Sequence, residues 1–265
     1  MLLFRLAGSI IVGVGKTRFS RPTEKKGRRI MKFRTELHCH TSLASGCADE
    51  SERDTVEKYI EHGYTTLVLT NHFHEGEIED CGGDYYDAVD RFYEAYRLAL
   101  EAAAGRINVL CGMEIRFTEC DNDYLVFGIT EEYVRAHENI HDTDVCDAHE
   151  MFRRDGILLI QAHPMRNRIR IVNPAYLDGI EVFNGHNAVF SRNEMAEAWY
   201  EYNKRFYPDL IKTSGTDHHD DWHRPSAGIL TDEPIRTMDQ LVATLRSGNY
   251  ELIKRPDIAK NHPDE

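Results

Sequence analysis

No apolar run in this chain reaches the roughly eighteen residues that a membrane-spanning helix needs, so the sequence offers no candidate for one. It also lacks any C-x-x-C spacing among its six cysteines, Cys39, Cys47, Cys81, Cys111, Cys120 and Cys146. Neither a zinc ribbon nor a redox pair is marked, and reduced thiols in a reducing, cytoplasmic compartment are expected. Positive charge is in deficit: 32 Lys and Arg stand against 45 Asp and Glu, a formal net charge of -13. That excludes a general binder of nucleic-acid backbones, which needs excess cations to displace counterions. There is no internal repeat and no Pro- or Gly-rich linker, so one barrel-sized domain accounts for the 265 residues.

The charge is unevenly placed. Residues 1–30 carry eight Lys or Arg and one Glu, against 24 basic and 44 acidic residues after them. Their apolar stretch, Leu6 to Val14, precedes the basic run Lys16 to Arg29, the reverse of the order in a secretory signal. Met31 stands two residues before the first convincing strand. Residues 1–30 are therefore expected to be an unstructured leader or the product of an upstream start, with the folded unit at 31–265. The fragment Gly13 to Thr17 (GVGKT) has Ile10 where a phosphate-binding loop requires Gly, and is set aside.

What the sequence does contain is a series of strand-sized apolar runs: Arg34 to His38, Thr65 to Thr70, Asn108 to Cys111, Tyr124 to Ile129, Ile157 to Ile160, Gly179 to Phe183 and Leu210 to Thr213. Helical patterns lie among them, at Asp54 to His62, Tyr85 to Ala104, Val145 to Arg154 and Ser191 to Phe206. Such alternation predicts an α/β fold with a largely parallel sheet, and continuous apolar strands predict cover on both faces. About seven strands in this length favour a barrel over an open sheet.

Nearly every predicted strand ends in a metal-capable residue. His38 and His40 close the first, His72 and His74 the second, Glu114 follows the third, His163 the fifth, and Asp217, His218 and His219 the last. In a parallel barrel these ends converge on one mouth. Residues two apart on a strand share a face, so His38 with His40, and Asp217 with His219, can each reach a single ion. Taken alone, His72 and His163 read as buried or capping histidines; it is their joint placement that marks a site.

The segments Glu36 to Ser42 (ELHCHTS), Leu69 to His72 (LTNH), Gly112 to Ile115 (GMEI), Ala162 to Pro164 (AHP) and Gly215 to His219 (GTDHH) resemble, in order and spacing, the successive motifs of PHP (polymerase and histidinol phosphatase) domains. The resemblance covers residues 33 to 223. It implies a distorted seven-stranded TIM-like barrel, two or three Mn, Fe or Zn ions, and hydrolysis of phosphate esters. Carried over residue by residue, it implies as metal ligands His38, His40, His72, Glu114 as a bridge, His163, Asp217 and His219. Three positions depart from the family pattern. Where relatives place an early Asp or His the chain has Ser45, Gly46 and Cys47, with Asp49 slightly beyond; Leu125 replaces a histidine; Asn71 replaces an Asp. Cys47 and Asp49 are thus uncertain ligands.

Metal-assisted hydrolysis uses an activated hydroxide and needs little more from the protein than ligands and a phosphate grip. Arg116, Arg166, Arg168 and Arg170 are candidates for the grip, because a guanidinium takes two phosphate oxygens at once. His74, His186 and His223 are candidates for a general acid. Glu181 is placed either to orient a ligand or to point outward, and Trp222 either to stack on a base or sugar or to pack. The expected substrate is a small phosphomonoester, such as a nucleotide or a sugar or amino-alcohol phosphate, with no stable nucleic-acid complex and no membrane partner. Two other readings are an amidohydrolase-like deaminase or amidase, whose barrels also begin with His-x-His, and a metal-binding regulatory module without turnover.

Overall fold

Each of those apolar runs is a strand in the computed structural model of the protein, which describes residues 33–186 and 188–255. The expected leader and the GVGKT fragment lie outside the described residues. In chain order the strands are β1 (Phe33–Glu36), β2 (Thr66–Leu69), β3 (His72–Phe73), β4 (Asn108–Cys111), β5 (Met113–Arg116), β6 (Asp123–Phe127), β7 (Leu158–Gln161), β8 (Gly179–Asn184), β9 (Ile211–Gly215), β10 (Ala227–Thr231) and β11 (Glu251–Lys254). The helices are α1 (Glu52–Glu61), α2 (Glu75–Glu79), α3 (Tyr85–Ala103), α4 (Glu131–Ala136), α5 (Val145–Arg154), α6 (Ala188–Ser191), α7 (Asn193–Asn203) and α8 (Met238–Ser247). None is long and apolar enough to cross a membrane.

Helix boundaries follow from side-chain caps. Ser51 Oγ accepts from Asp54 N at 3.2 Å and starts α1; Asp84 accepts from the amides of Tyr86 and Asp87 and starts α3. These satisfy amide groups that have no partner within the helix. Along α3, Ala88, Val89, Phe92, Ala95 and Ala99 recur at helical spacing and are buried. Burying a side chain of the size of Val89 or Phe92 contributes about 1.5–3 kcal/mol.

The strands form two sheets, β11-β10-β1-β2-β4 and β3-β5-β6-β7-β8-β9. The α/β class is as predicted, but the sheets are mixed. β6 runs antiparallel to both β5 and β7, because only the short turn from Phe117 to Asn122 joins β5 to β6 and leaves no room for a crossover helix. Leu37, Val68, Leu125, Leu158, Ile160 and Ile229 pack together from both sheets. The sheets meet where the end of β1 lies beside the end of β9: Cys39 and His218 form a parallel bridge, Asp217 N donates to His38 O at 2.8 Å, and His40 N donates to His218 O at 2.9 Å.

Candidate metal centre

That seam carries ligand-type residues on both sides. His38, His40, Glu114 and Asp217 form one buried group whose ligand atoms lie within 4.8 Å of one another. Two further groups overlap it, His40 with His72 and His219, and Glu114 with Asp123 and His163. All seven ligands carried over from the sequence motifs therefore come together. Glu114 lies among them: Oε1 is 3.2 Å from His38 Nε2 and 3.1 Å from His163 Nε2, and Oε2 is 3.3 Å from His40 Nε2 and 3.0 Å from His72 Nδ1. Asp217 Oδ1 faces His38 Nε2 at 3.2 Å and His40 Nε2 at 3.3 Å.

The surroundings leave specific lone pairs pointing inward. Glu181 Oε1 accepts from His38 Nδ1 at 2.9 Å, so the proton sits on Nδ1 and Nε2 is free to bind an ion. Ser45 Oγ donates to Asn71 Oδ1 at 3.0 Å and accepts from His72 N at 2.9 Å. It therefore accepts from His40 Nδ1, 3.2 Å away, which again frees Nε2. His219 Nδ1 donates to the Asp217 carbonyl at 3.1 Å. Asn71 thus orders the first loop; its Oδ1 also accepts from Thr41 N at 2.7 Å.

His38 Nε2, His40 Nε2, His72 Nδ1 and Glu114 Oε2 are buried without a hydrogen-bond partner. Four such atoms converging at contact distance would be costly in a polypeptide that held nothing there. Imidazole nitrogens mixed with carboxylate oxygens suit a divalent transition metal, so the residues fit the ions that the motifs imply. Electrostatics agree. Burial opposes charge on His38, yet Asp217, Glu114 and Glu181 hold it well above the ordinary histidine range. Against the same burial, His38 and His72 hold Glu114 well below the carboxylate range. Two buried carboxylates need cationic partners, which ions would also supply.

Two ligands sit in uncommon backbone. Asp217 has φ 56° and His163 φ 25°, both in the left-handed region that side chains rarely adopt. Asp217 is held there through its other oxygen: Oδ2 accepts from Arg166 Nη2 at 2.5 Å and Asn184 Nδ2 at 3.1 Å.

The remaining sequence candidates are dispersed around the centre. Arg116 forms a two-pronged pair with Asp123 at 2.7 and 3.0 Å, and Arg166 is tied to Asp217, Asn184 and Ser191. Arg168 and Arg170 are exposed on the loop after His163. His74 caps α2, its Nδ1 accepting from Gly76 N at 3.1 Å. Burial pushes His74 and His186 down to about 4 and His223 to about 2, which leaves all three neutral near pH 7. Cys47 is exposed and lies beside His72; Asp49 is exposed, and its amide donates to His219 O. Neither joins a metal-capable group among the described residues. His218 instead pairs with Glu50, away from the ligands. Trp222 is partly exposed, its ring 4.0 Å from that of His223.

Asp123 is the residue that the sequence reading missed. It begins β6, and because β6 is reversed its first residue lies at the same end of the sheet as the last residues of the parallel strands. The Arg116 pairing was the available signal, as an acid opposite a basic residue across a short hairpin. Glu181 resolves inward, also accepting from His163 N at 2.9 Å and Asn184 Nδ2 at 2.9 Å. Partners of this kind typically alter metal affinity about 10- to 100-fold. Glu181→Gln is expected to weaken binding by that factor in a competitive chelator titration; an unchanged affinity would contradict the orienting role.

The chain matches the PHP domain family over residues 36–244. Comparison with curated proteins gave no match. Among solved structures it is similar to a two-domain protein from Bacteroides vulgatus that contains a predicted PHP-like metal-dependent phosphoesterase, with TM-score 0.58, 15% identity and coverage of 84% of this chain and 65% of that one. It is also similar to PsfC from Pseudomonas syringae, with TM-score 0.58, 11% identity and coverage of 86% and 95%. An amidohydrolase from Chromobacterium violaceum with bound sulfate and no metal shares TM-score 0.50 and 15% identity, over 86% and 100% of the two chains. This chain spans 65% of the length of the Bacteroides protein, and at these identities the likenesses concern the fold. The family match extends over most of the chain and encloses every residue of the centre, from His38 through His219: the protein belongs to the PHP domain family.

Proposed function

We propose that the protein is a metal-dependent phosphoesterase that hydrolyses a small phosphomonoester, working in the cytoplasm, where its six free cysteines suit a reducing environment. The observation that carries this reading is the position of Glu114, whose two oxygens face four imidazoles and so form a natural bridge between ions. His38, His40, His72, His163, Asp217 and His219 would complete the ligand set, with Asp123 beside His163. Two or three Mn, Fe or Zn ions held there would acidify water, neutralise phosphoryl oxygens and steady the leaving oxygen.

The chain's own residues supply the rest. Glu181 and Ser45 fix the imidazole tautomers. Arg166 holds Asp217 in its left-handed backbone, and Arg168 and Arg170 offer exposed positive charge at the mouth for the phosphate. The β1–β9 seam, with β2 running on into β3 and β4 into β5, supports reading the two sheets as the distorted seven-stranded barrel of the family.

The test is metal content and phosphate release from a panel of phosphomonoesters, measured on purified protein with and without added Mn. Two or more ions per chain and Mn-dependent release are expected. Metal binding with no ester cleaved would favour a regulatory module, release from amides but not from esters would favour an amidase, and absence of metal would remove the basis of the proposal.

A further inference from the structure

A second polar group adjoins the centre. His186, Asp220 and His223 bring ligand-type atoms within 4.8 Å of one another, and the rings of His186 and His223 lie 4.4 Å apart and edge-on. His186 also packs against the candidate ligand His219, ring centres 5.3 Å apart. His186 Nδ1 and His223 Nε2 are both buried without a partner, and His223 is only 6% exposed.

The spacing would admit a cation, but the tautomer of His223 does not. The amides of His219 and Asp220 donate to His223 Nδ1 at 3.0 and 3.3 Å. That nitrogen carries no proton, so in the neutral ring Nε2 does, and an N–H cannot ligate a metal. His223 Nε2 is therefore a fixed donor in search of an acceptor. The Asp220 carboxylate, with Oδ2 3.7 Å away, is an acceptor beyond hydrogen-bond reach of it. A phosphoryl oxygen would meet the negative charge of Asp220. An ammonium would leave the His223 donor unmet. A hydroxyl both accepts and donates, so it satisfies His223 together with Asp220 or His186 Nδ1.

We infer that His186, Asp220 and His223 form a hydroxyl-recognising subsite that receives the alcohol portion of a polyol or sugar phosphate whose phosphate sits at the adjacent metal centre. This rests on the phosphoesterase reading and narrows its substrate class. His186 is held for this purpose by its own carbonyl, which accepts from Ser191 Oγ at 3.1 Å and Arg166 Nη2 at 3.3 Å.

Two measurements on the full chain test it. In the first, kcat/KM is compared for glycerol 3-phosphate and for propyl phosphate, which lacks the hydroxyls. Wild type should prefer the polyol ester, and His223→Phe, which keeps the ring without the donor, should reduce that preference about tenfold, as expected for loss of about 1.4 kcal/mol. His223→Gln, which restores a donor, should recover part of it. A preference unchanged in His223→Phe, or absent from wild type, overturns the inference. The second needs no turnover: glycerol is titrated into zinc-loaded protein while the imidazole C–H resonances are followed by NMR. Shifts of His186 and His223 in wild type, with the His186 shift lost in His223→Phe, support the subsite; absence of the shifts in wild type, or a His186 shift unchanged in the variant, overturns it. If neither ester is cleaved, the phosphoesterase reading fails, while the titration still decides whether the subsite exists.

Discussion

Glu114→Ala is expected to lower phosphate release by about a thousandfold or more, equivalent to some 4 kcal/mol of transition-state stabilisation, and to lower the number of ions bound per chain. The magnitude follows from geometry. Each of the two carboxylate oxygens faces two imidazoles at 3.0–3.3 Å, so one substitution removes the group common to two of the overlapping ligand sets. It also leaves His38 and His72 without the carboxylate that offsets their burial, and breaking such a buried pairing typically costs about 3–5 kcal/mol. The check is single-turnover phosphate release alongside metal analysis of the same sample. A variant within tenfold of wild type with full metal content would show that Glu114 is not a bridge.

Gly215→Ala should destabilise the fold at the same place for a different reason. A Cβ at residue 215 would lie 2.2 Å from the Cβ of His38 and 2.8 Å from Glu181 Oε1. Neither neighbour can yield cheaply: His38 is fixed by backbone hydrogen bonds across the seam, and Glu181 by three donors. Overpacking of this kind costs about 1–3 kcal/mol, or a fall of about 3–10 °C in melting temperature for a domain of this size. Thermal unfolding in the presence of chelator isolates this effect from metal binding. A chelated variant that melts with wild type would show that β1 and β9 can separate freely.

Much of this was legible in the chain because the signals are local. Two histidines two residues apart at a strand end share a face whatever the rest of the fold does, and Gly215 to His219 shows the same spacing in the sequence with Asp217 and His219. The apolar runs located β1, β2, β4, β6, β7, β8 and β9 to within one or two residues. Strand direction left no such trace. Nothing in Tyr124 to Ile129 says that β6 is reversed, and so Asp123 at its start went unread while Leu125, which packs in the core, was examined for a ligand. Arg166 shows a related limit: sequence places a guanidinium near the mouth but does not reveal that Asp217 and Asn184 occupy it. The strands β10 and β11 went unread because nothing local marks their pairing, β10 with β1 and β11 with β10.

The seam between β1 and β9 has a consequence for the chain as a polymer. Glu36 and Thr216, hydrogen-bonded there, are 180 residues apart in sequence, and the described cysteines are all free, so no disulfide closes that span. An ion gripping His38 and Asp217 together would close it instead, a cross-link of the kind that, for loops above a hundred residues, removes about 4–5 kcal/mol of unfolded-chain entropy. The centre would then serve as the staple of its own scaffold, with loss of the ions releasing the two ends of the fold from each other.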